Sequence, residues 1–179
     1  MIVIVGESAS GKSSVADYLS KEFGYEKVVT YTTRKPRDYE VDGKDYHFIS
    51  EEEYNSLKSN GFFAEVAEYN GWKYGSAKKD YSDNKVIVLT PRGLRSVRKS
   101  GIKNTFSVYI NVPRRDRLIS CLKRNDNIEE AYRRSLSDVG QFDGIEDEVD
   151  YTISNPDYKM SISTLGIIID LEYKKFERN

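Results

Sequence analysis

The chain has 179 residues, which is the length of one domain with one or two smaller lobes. Hydrophobic residues make up 38% of it and charged residues 32%, and these proportions exclude both an integral membrane protein and a disordered chain. The 28 lysines and arginines are balanced by 29 acidic residues, so the basic excess typical of nonspecific nucleic-acid binding is missing. We therefore expect a single domain over residues 1–179 with no nucleic-acid partner.

The single cysteine, Cys121, excludes an internal disulfide and a cysteine-based metal cluster. The longest aliphatic run, residues 1–5, is far shorter than the roughly 18 residues that a membrane span needs. This run also lacks the preceding cationic stretch and the following cleavage site of a secretory signal. We expect a cytoplasmic protein without a membrane partner, either a monomer or a homodimer.

The chain opens with the pattern of a strand, a glycine-bounded loop and a helix. Residues 2–5 are all β-branched, which is typical of a strand buried on both faces of a parallel sheet. Val15, Leu19 and Phe23 then recur at helical spacing, and Gly24 ends the predicted helix. This order is the first half of a strand–helix–strand unit.

The next part of the chain has the pattern of a small β-rich insertion. Its predicted elements are a strand at 27–33, a surface excursion at 34–46, a helix at 50–59 and a hairpin at 62–76. Ser50 and Glu53 have the spacing of a capping box, which begins the helix. The dipeptide Asn70-Gly71 is a strong signal for the hairpin turn. Residues 32–82 are therefore predicted to form a separate lobe.

After the insertion, strands and helices alternate again, which favours a parallel sheet with right-handed crossovers. Pro91 is typical of a helix start and Gly101 of a helix end. The predicted strands are 86–89, 106–112 and 150–154, and the predicted helices are 91–101, 114–123, 129–139 and 159–176. The fold class is α/β.

Residues 6–14 join the first strand to the first helix and carry the P-loop pattern Gly6-x-x-x-x-Gly11-Lys12-Ser13. Glycines let backbone amides curl around a polyphosphate, and the helix that follows presents its positive N-terminal end. Lys12 supplies a mobile positive charge to the β- and γ-phosphates, and the Ser13 hydroxyl can ligate Mg²⁺. The motif predicts binding of ATP or GTP.

Beyond this loop, the sequence resembles guanylate kinases. The resemblance rests on Thr32-Thr33-Arg34-Lys35-Pro36-Arg37, on Glu40-Val41-Asp42-Gly43-Lys44-Asp45-Tyr46-His47-Phe48, on Phe63-Ala64-Glu65, on Tyr74-Gly75-Ser76, and on Asp150-Tyr151-Thr152-Ile153-Ser154-Asn155. It implies a three-layer P-loop NTPase fold with a parallel sheet, a small β-rich lobe that binds a nucleoside monophosphate, and a helical lid. The core would comprise 1–31, 83–120 and 150–179, the GMP-binding lobe 32–82, and the lid 121–149. The implied reaction is ATP-dependent phosphorylation of GMP or dGMP.

The resemblance assigns the acceptor nucleotide to the lobe. The GMP-binding residues it implies are Thr30, Arg34, Arg37, Tyr46, Glu65, Tyr74, Ser76 and Thr90. Arg34 and Arg37 lie three apart on a constrained segment, and guanidinium forks suit a phosphate dianion. Glu65 can accept hydrogen bonds from N1–H and the 2-amino group of guanine, a pair that adenine lacks. His47, the single histidine, is interpreted as structural.

The resemblance also implies the donor site and the lid residues. The ATP-binding residues are Gly6, Glu7, Ser8, Ala9, Ser10, Gly11, Lys12, Ser13, Ser14 and Asn155, with Mg²⁺ on Ser13 as the cofactor of ATP. The catalytic residues are Lys12, Arg34, Arg124 and Arg134. The run of Arg114, Arg115 and Arg117 is interpreted instead as a solvated helix face, the usual place for such a run.

The sequence departs from the family at the strand predicted for 86–89. Guanylate kinases usually carry acidic residues at the end of this strand, where this chain has Val88 and Thr90. Two alternatives stay open. One is a kinase of the same fold that acts on another (deoxy)nucleoside monophosphate or a ribose phosphate, and the other is a noncatalytic module that binds phosphopeptides. Glu65 argues against a sugar phosphate, and the intact Gly11-Lys12-Ser13 argues against the module.

Overall fold

The computed structural model describes residues 1–37, 40–69 and 71–178. Its larger sheet consists of β1 (Ile2–Val5), β2 (Glu26–Lys27), β7 (Lys85–Leu89), β8 (Phe106–Asn111) and β9 (Tyr151–Ser154). The order across the sheet is β2-β7-β1-β8-β9, and every neighbouring pair is parallel. The predicted parallel sheet is therefore present, with β1 at its centre.

Helices cover both faces of this sheet. The helices of the described residues are α1 (Lys12–Phe23), α2 (Glu51–Ser59), α3 (Pro91–Lys99), α4 (Arg114–Lys123), α5 (Ile128–Ser137) and α6 (Ile162–Phe176). Side chains alternate along β1, so Ile4 packs into a buried cluster with Leu19 of α1 and Ile169 of α6. Val5 points the other way and joins Leu94 of α3 in a second cluster. This arrangement is the three-layer α/β fold that the sequence predicts.

A second, four-stranded sheet lies in the segment predicted as a lobe. It contains β3 (Tyr31–Thr32), β4 (His47–Phe48), β5 (Phe63–Tyr69) and β6 (Trp72–Ala77), in the order β4-β3-β6-β5. β5 and β6 form the predicted antiparallel hairpin, although Asn70 of its turn lies outside the described residues. The ring of His47 lies 4.5 Å from that of Tyr31, centroid to centroid, and Tyr31 also contacts Phe63.

The single strand predicted at 27–33 is in fact two short strands in different sheets. Glu26–Lys27 pairs with β7 of the larger sheet, whereas Tyr31–Thr32 pairs with β6 of the smaller one. Val28 still donates its N–H to the Val86 carbonyl at 2.9 Å, so the chain leaves the larger sheet only after this residue. β-branched and aromatic residues, which favour strands, continue across the crossing, and composition therefore does not mark the break.

The last helix begins later than the sequence predicts. α6 starts at Ile162 because the Ser161 hydroxyl accepts the Thr164 N–H at 3.1 Å and caps the helix there. Residues 159–161 precede this cap. No helix in the described part of the chain combines the length and the apolar character that crossing a bilayer requires.

Two isoleucines of α6 provide a direct test of this packing. Ile169 is fully buried between the sheet and α1, while Ile167 on the same helix is 45% exposed. We expect Ile169→Ala to lower the free energy of unfolding by about 2–5 kcal/mol, because it leaves a cavity in the core. Ile167→Ala should cost less than about 1 kcal/mol. Urea denaturation of both variants measures the difference, and equal losses would contradict the packing described.

Candidate active site

The loop between β1 and α1 has the backbone shape that an anion-binding loop requires. Gly11 has φ +93° and Ala9 has φ +65°, and the second value is uncommon for a residue with a side chain. Gly6 has no room for a side chain, since a Cβ there would lie 2.6 Å from Ser10 Oγ and 2.8 Å from the Ile110 carbonyl oxygen. Such left-handed residues turn successive amides toward one concave side.

Lys12 begins α1, and its ammonium group lies against this loop. Nζ donates to the carbonyl of Glu7 at 2.6 Å. Burial lowers the pKa of Lys12 to about 8, although the carboxylates of Asp138 and Glu7 oppose the shift. A phosphate beside this ammonium group would favour its charged form again. Lys12 is therefore suited to meet an anion as a full cation.

Arg117 is buried beside the phosphate loop, so its interpretation as part of a solvated helix face is wrong. Its guanidinium donates to the carbonyls of Val112 at 2.9 Å and Ser8 at 3.2 Å. It also faces carboxylate oxygens of Asp138 and Glu7, each at 3.5 Å. Asp138 in turn accepts the Ser8 N–H at 2.8 Å. Arg117 thus fixes the phosphate loop to the helices that follow β8.

A cavity of about 290 Å³ opens beside the loop and extends to the smaller sheet. The predicted site residues that line it are Gly6, Ser8, Ala9, Lys12, Ser13, Thr30, Arg34, Arg37, Tyr46, Glu65, Tyr74, Thr90 and Arg134. The lining that the sequence did not assign consists of Ala67, Val88, Leu89, Asp138, Gln141 and Phe142. The phosphate loop therefore lines the same cavity as Arg34 and Arg37. The sequence suggested this proximity but could not show it.

The remaining predicted residues lie outside this lining. Glu7, Ser10, Gly11 and Ser14 belong to the loop or the start of α1, and Ser76 lies behind Glu65. Asn155 is buried, and its amide is hydrogen-bonded to the backbone of Met160. Arg124 is exposed at the end of α4 and donates to Asp126 at 2.6 Å. Of the two lid arginines assigned to catalysis, the structure brings only Arg134 to the cavity.

Three of the residues that line the cavity, Asp138, Gln141 and Phe142, come directly after α5, and no short sequence motif indicates them. Asp138 caps the end of α5, and Gln141 and Phe142 follow in a turn. Phe142 stacks on Tyr109 of β8, with ring centroids 6.1 Å apart. Their proximity to the phosphate loop depends on contacts between residues over a hundred positions apart, such as Ser8 with Asp138, which spacing does not reveal.

Arg34 of the lobe forms a buried ion pair with Glu40. The two guanidinium nitrogens donate to the two carboxylate oxygens at 2.7 and 2.9 Å, and the Arg37 N–H adds a third bond at 2.8 Å. Burial opposes the charge on Arg34, but the paired carboxylate outweighs it and raises the pKa of Arg34. Burial likewise opposes the charge on Glu40, yet these bonds hold its pKa below the usual value. Both groups therefore stay charged at neutral pH.

Two tyrosines complete the surroundings of this ion pair. The Arg34 guanidinium carbon lies 5.4 Å from the Tyr46 ring centroid, within the range of a cation–π contact. The ring of Tyr74 lies 6.1 Å from that of Tyr46, centroid to centroid, and both tyrosines line the cavity. Arginines and phenol hydroxyl groups together suit a phosphate group.

Glu65 is a buried carboxylate with an incomplete set of partners. Oε1 accepts a hydrogen bond from Ser76 Oγ at 3.2 Å, and Ser76 is itself 2.5 Å from the Tyr81 hydroxyl. Oε2 is buried, and no group of the described part of the chain is hydrogen-bonded to it. It lies beside Gly93 of α3, where a Cβ would be only 3.1 Å away. Burial raises the pKa of Glu65 to about 7, partly opposed by Ser76.

The parallel sheet and the phosphate loop after its central strand define the class, a P-loop nucleotide-binding protein. Comparison with known proteins narrows this class. The family model described as guanylate kinase matches residues 1–172, and the chain therefore belongs to the guanylate kinase family.

Individual relatives agree with this family. The chain is 36% identical to a guanylate kinase of Nitratidesulfovibrio vulgaris over 149 residues, which cover 79% of this chain and 72% of the relative. It is 35% identical to one of Wolinella succinogenes over 173 residues, covering 90% and 79% respectively. The crystal structure of guanylate kinase from Anaplasma phagocytophilum shares the fold, with a TM-score of 0.75 at 24% identity over 100% of this chain and 86% of that one. The predicted family, fold class and enzyme class are confirmed.

Arg117 gives the first test of the site. Arg117→Met keeps much of the side-chain volume but leaves the Glu7 and Asp138 carboxylates without their shared cation. We expect the free energy of unfolding to fall by about 3–5 kcal/mol, because a partly buried charge loses its partner. Arg115→Met removes an exposed arginine from the same helix and should cost less than about 0.5 kcal/mol. Urea unfolding at pH 7 separates the two, and similar losses would refute the buried network.

The unusual pKa of Glu65 gives the second test. The folded carboxyl group keeps its proton up to about pH 7, whereas the unfolded one loses it near its ordinary value of 4.5. Stability is therefore highest below this window and falls as the pH rises through it, by up to about 1.4 kcal/mol per pH unit. Glu65→Gln, which cannot ionise, should exceed the wild type at pH 8 by about 2–3 kcal/mol and differ little at pH 4.5.

Denaturant midpoints at pH 4.5, 6 and 8 measure this effect. Glu68→Gln changes an exposed residue of the same strand and serves as the matched control. It should leave the pH dependence of stability as in the wild type. A Glu65→Gln curve that ran parallel to that of the wild type would show that burial does not shift Glu65.

Proposed function

We propose that this protein transfers the γ-phosphoryl group of ATP to the phosphate of GMP or dGMP, which produces ADP and GDP or dGDP. The observation that carries the proposal is the shared cavity, because the phosphate loop and the Arg34–Arg37 pair line one space of about 290 Å³. Enzymes of this kind act mainly by holding the two phosphates in line and neutralising their charge. Membership of the guanylate kinase family supports the same reaction, and nothing in the comparisons favours the alternative acceptors or the binding module.

In this proposal ATP lies on the phosphate loop. The backbone amides of residues 6–14 and the N-terminus of α1 bind its phosphates. Lys12 neutralises the β- and γ-phosphates, and Arg134 reaches the same cavity from the lid side. We assign no contact to Arg124 or Asn155, since their side chains are engaged with Asp126 and Met160.

The acceptor nucleotide occupies the lobe side of the cavity. Its phosphate lies among Arg34, Arg37, Tyr46 and Tyr74. Glu40 holds the Arg34 fork in one orientation before the substrate arrives, which lowers the entropic cost of binding. Glu65 reads the purine base, because its unpartnered oxygen requires a donor and a buried acceptor left unpaired is costly.

The transfer itself needs little from the protein beyond placement. An oxygen of the acceptor phosphate attacks the γ-phosphorus, the new P–O bond forms as the bond to the β,γ-bridging oxygen breaks, and ADP leaves. A phosphate oxygen is already nucleophilic, so no general base is assigned. Lys12, Arg34 and Arg134 offset the negative charge of the two phosphates as they approach. Lobe and lid residues around the cavity exclude water that would otherwise hydrolyse ATP.

Mg²⁺ is the cofactor that this proposal implies, bound together with ATP. Within residues 1–37, 40–69 and 71–178, no group of three or more histidine, cysteine or acidic side chains could hold a metal ion. The protein therefore contributes few ligands of its own. The exposed hydroxyl of Ser13 lines the cavity and fits the part of a single protein ligand. When bound, the ion neutralises charge on the β- and γ-phosphates.

Lys12→Ala tests the donor site. We expect it to lower phosphoryl transfer from ATP to GMP by at least about a hundred-fold, because the variant loses the cation that meets the γ-phosphate. A coupled assay of ADP release measures the rate with GMP, dGMP, AMP, CMP, UMP, dTMP and ribose phosphates. Lys99→Ala, at the exposed end of α3, is the control and should keep wild-type activity.

GMP or dGMP should be the best acceptor by a wide margin. Equal rates with AMP and GMP would contradict the role given to Glu65. A small effect of Lys12→Ala, with the fold intact by circular dichroism, would favour the noncatalytic binding module instead.

A further inference from the structure

The hydrogen bonds around Glu65 show what the base side of the cavity can still accept. Glu65 is only 5% exposed. Above about pH 7 the Glu65 carboxylate is ionised and only accepts hydrogen bonds, so Ser76 donates to Oε1 and Tyr81 donates to Ser76. Ser76 is fully buried, so the bond to Oε1 is made inside the protein, whereas Gly93 of α3 lies beside Oε2. The protein itself therefore supplies a hydrogen-bond donor for Oε1.

The other oxygen, Oε2, has no hydrogen-bond partner among the residues that the structure describes. A buried acceptor without a donor is unfavourable, and a ligand that supplies a donor removes this penalty. Oε1 has a donor in Ser76, so Oε2 is the oxygen that still lacks one. A purine that carries a keto oxygen at C6 has such a donor at N1, and adenine has a lone pair at N1 instead.

No second carboxylate is available on this side of the cavity. Among the described lining residues, Glu65 and Asp138 are the acidic ones, and Asp138 is bonded to Ser8 and Arg117 at the phosphate loop. Val88 and Leu89 present apolar side chains. The Thr90 hydroxyl accepts the Gly93 N–H at 3.1 Å as the cap of α3. A neutral oxygen already used in this way attracts an amino group much less than a carboxylate does.

We propose that the acceptor site recognises 6-oxopurine nucleoside monophosphates as a class and phosphorylates IMP as well as GMP. This inference rests on the proposed function. The N1–H shared by hypoxanthine and guanine satisfies Oε2, and the 2-amino group that distinguishes guanine meets no dedicated acceptor. With IMP the chemistry is unchanged: a phosphate oxygen of IMP bonds to the γ-phosphorus, the bond to the bridging oxygen breaks, and IDP and ADP are formed.

The test compares kcat/KM for GMP, IMP and AMP with ATP and Mg²⁺ on the full chain. We expect IMP to be within about ten-fold of GMP, a difference of about 1.4 kcal/mol or less. At pH 8, where Glu65 is ionised, AMP should be at least about a hundred-fold worse than IMP, since its N1 lone pair faces the carboxylate. Activity with GMP but a loss of more than about ten-fold with IMP would overturn this inference and leave the proposed function in place. No activity with GMP would overturn the proposed function itself.

Two substitutions at Thr90 test why the site is expected to accept IMP as well as GMP. Thr90→Asp adds a carboxylate where the 2-amino group has no acceptor, and Thr90→Asn is its uncharged control. Both residues cap helices well, so α3 should form in each variant. We expect the GMP-to-IMP ratio of kcat/KM to rise at least about ten-fold in Thr90→Asp relative to Thr90→Asn. An unchanged ratio would contradict the proposal that a missing acceptor underlies the tolerance.

Glu65→Gln gives an independent result. GMP and IMP use the same acceptor in this proposal, so both should lose kcat/KM by the same factor, within about three-fold, and that factor should be at least about ten. A variant that lost activity with GMP while keeping activity with IMP would show that Glu65 reads the 2-amino group, and the proposal would be wrong.

Discussion

A cavity that is to hold two phosphates needs several cations in one place, and these cations repel one another unless carboxylates lie among them. Arg34 and Arg37 share Glu40, and Arg117 lies between Glu7 and Asp138. The whole chain carries a net charge of −1, so the positive character of the site is local. Charge pairing of this kind keeps side chains ionised in a half-buried space where burial alone would favour their neutral forms.

The same pairing also fixes geometry. A guanidinium held by two carboxylate oxygens loses its rotational freedom when the protein folds, and a phosphate that binds beside it does not bear that entropic cost again. The loop that precedes α1 is positioned by the same means, through the bond between Ser8 and Asp138 and the contacts of Arg117. Glu65 differs from these groups because none of the described lysines and arginines is paired with it. Its raised pKa and its unpartnered oxygen follow from that isolation, and both point to a ligand that donates.

The parts of the site that could be predicted from the sequence are those whose geometry is local. The phosphate loop depends on the missing side chain at Gly6 and on the left-handed backbone at Gly11, and the eight residues 6–13 are enough to specify it. The burial of Arg117 could not be predicted from local sequence. Arg114, Arg115 and Arg117 lie close together on one helix, and only contacts with distant residues decide which of them is buried. The sequence also did not show that residues 27–33 are divided between two sheets. Tyr31 pairs with Gly75 and Val28 bonds to Val86, and no local pattern reveals partners so far along the chain.

One contact joins α5 to the β5–β6 hairpin. The Arg133 guanidinium carbon lies 5.2 Å from the centroid of the Trp72 ring in the β5–β6 hairpin, and Arg133 is also paired with Glu130 on its own helix. Its neighbour Arg134 lines the cavity instead. Adjacent residues on a helix point about 100° apart, so α5 faces the hairpin with one arginine and the cavity with the next. The hairpin and α5 are therefore in contact through Trp72 and Arg133, while the neighbouring Arg134 lines the cavity.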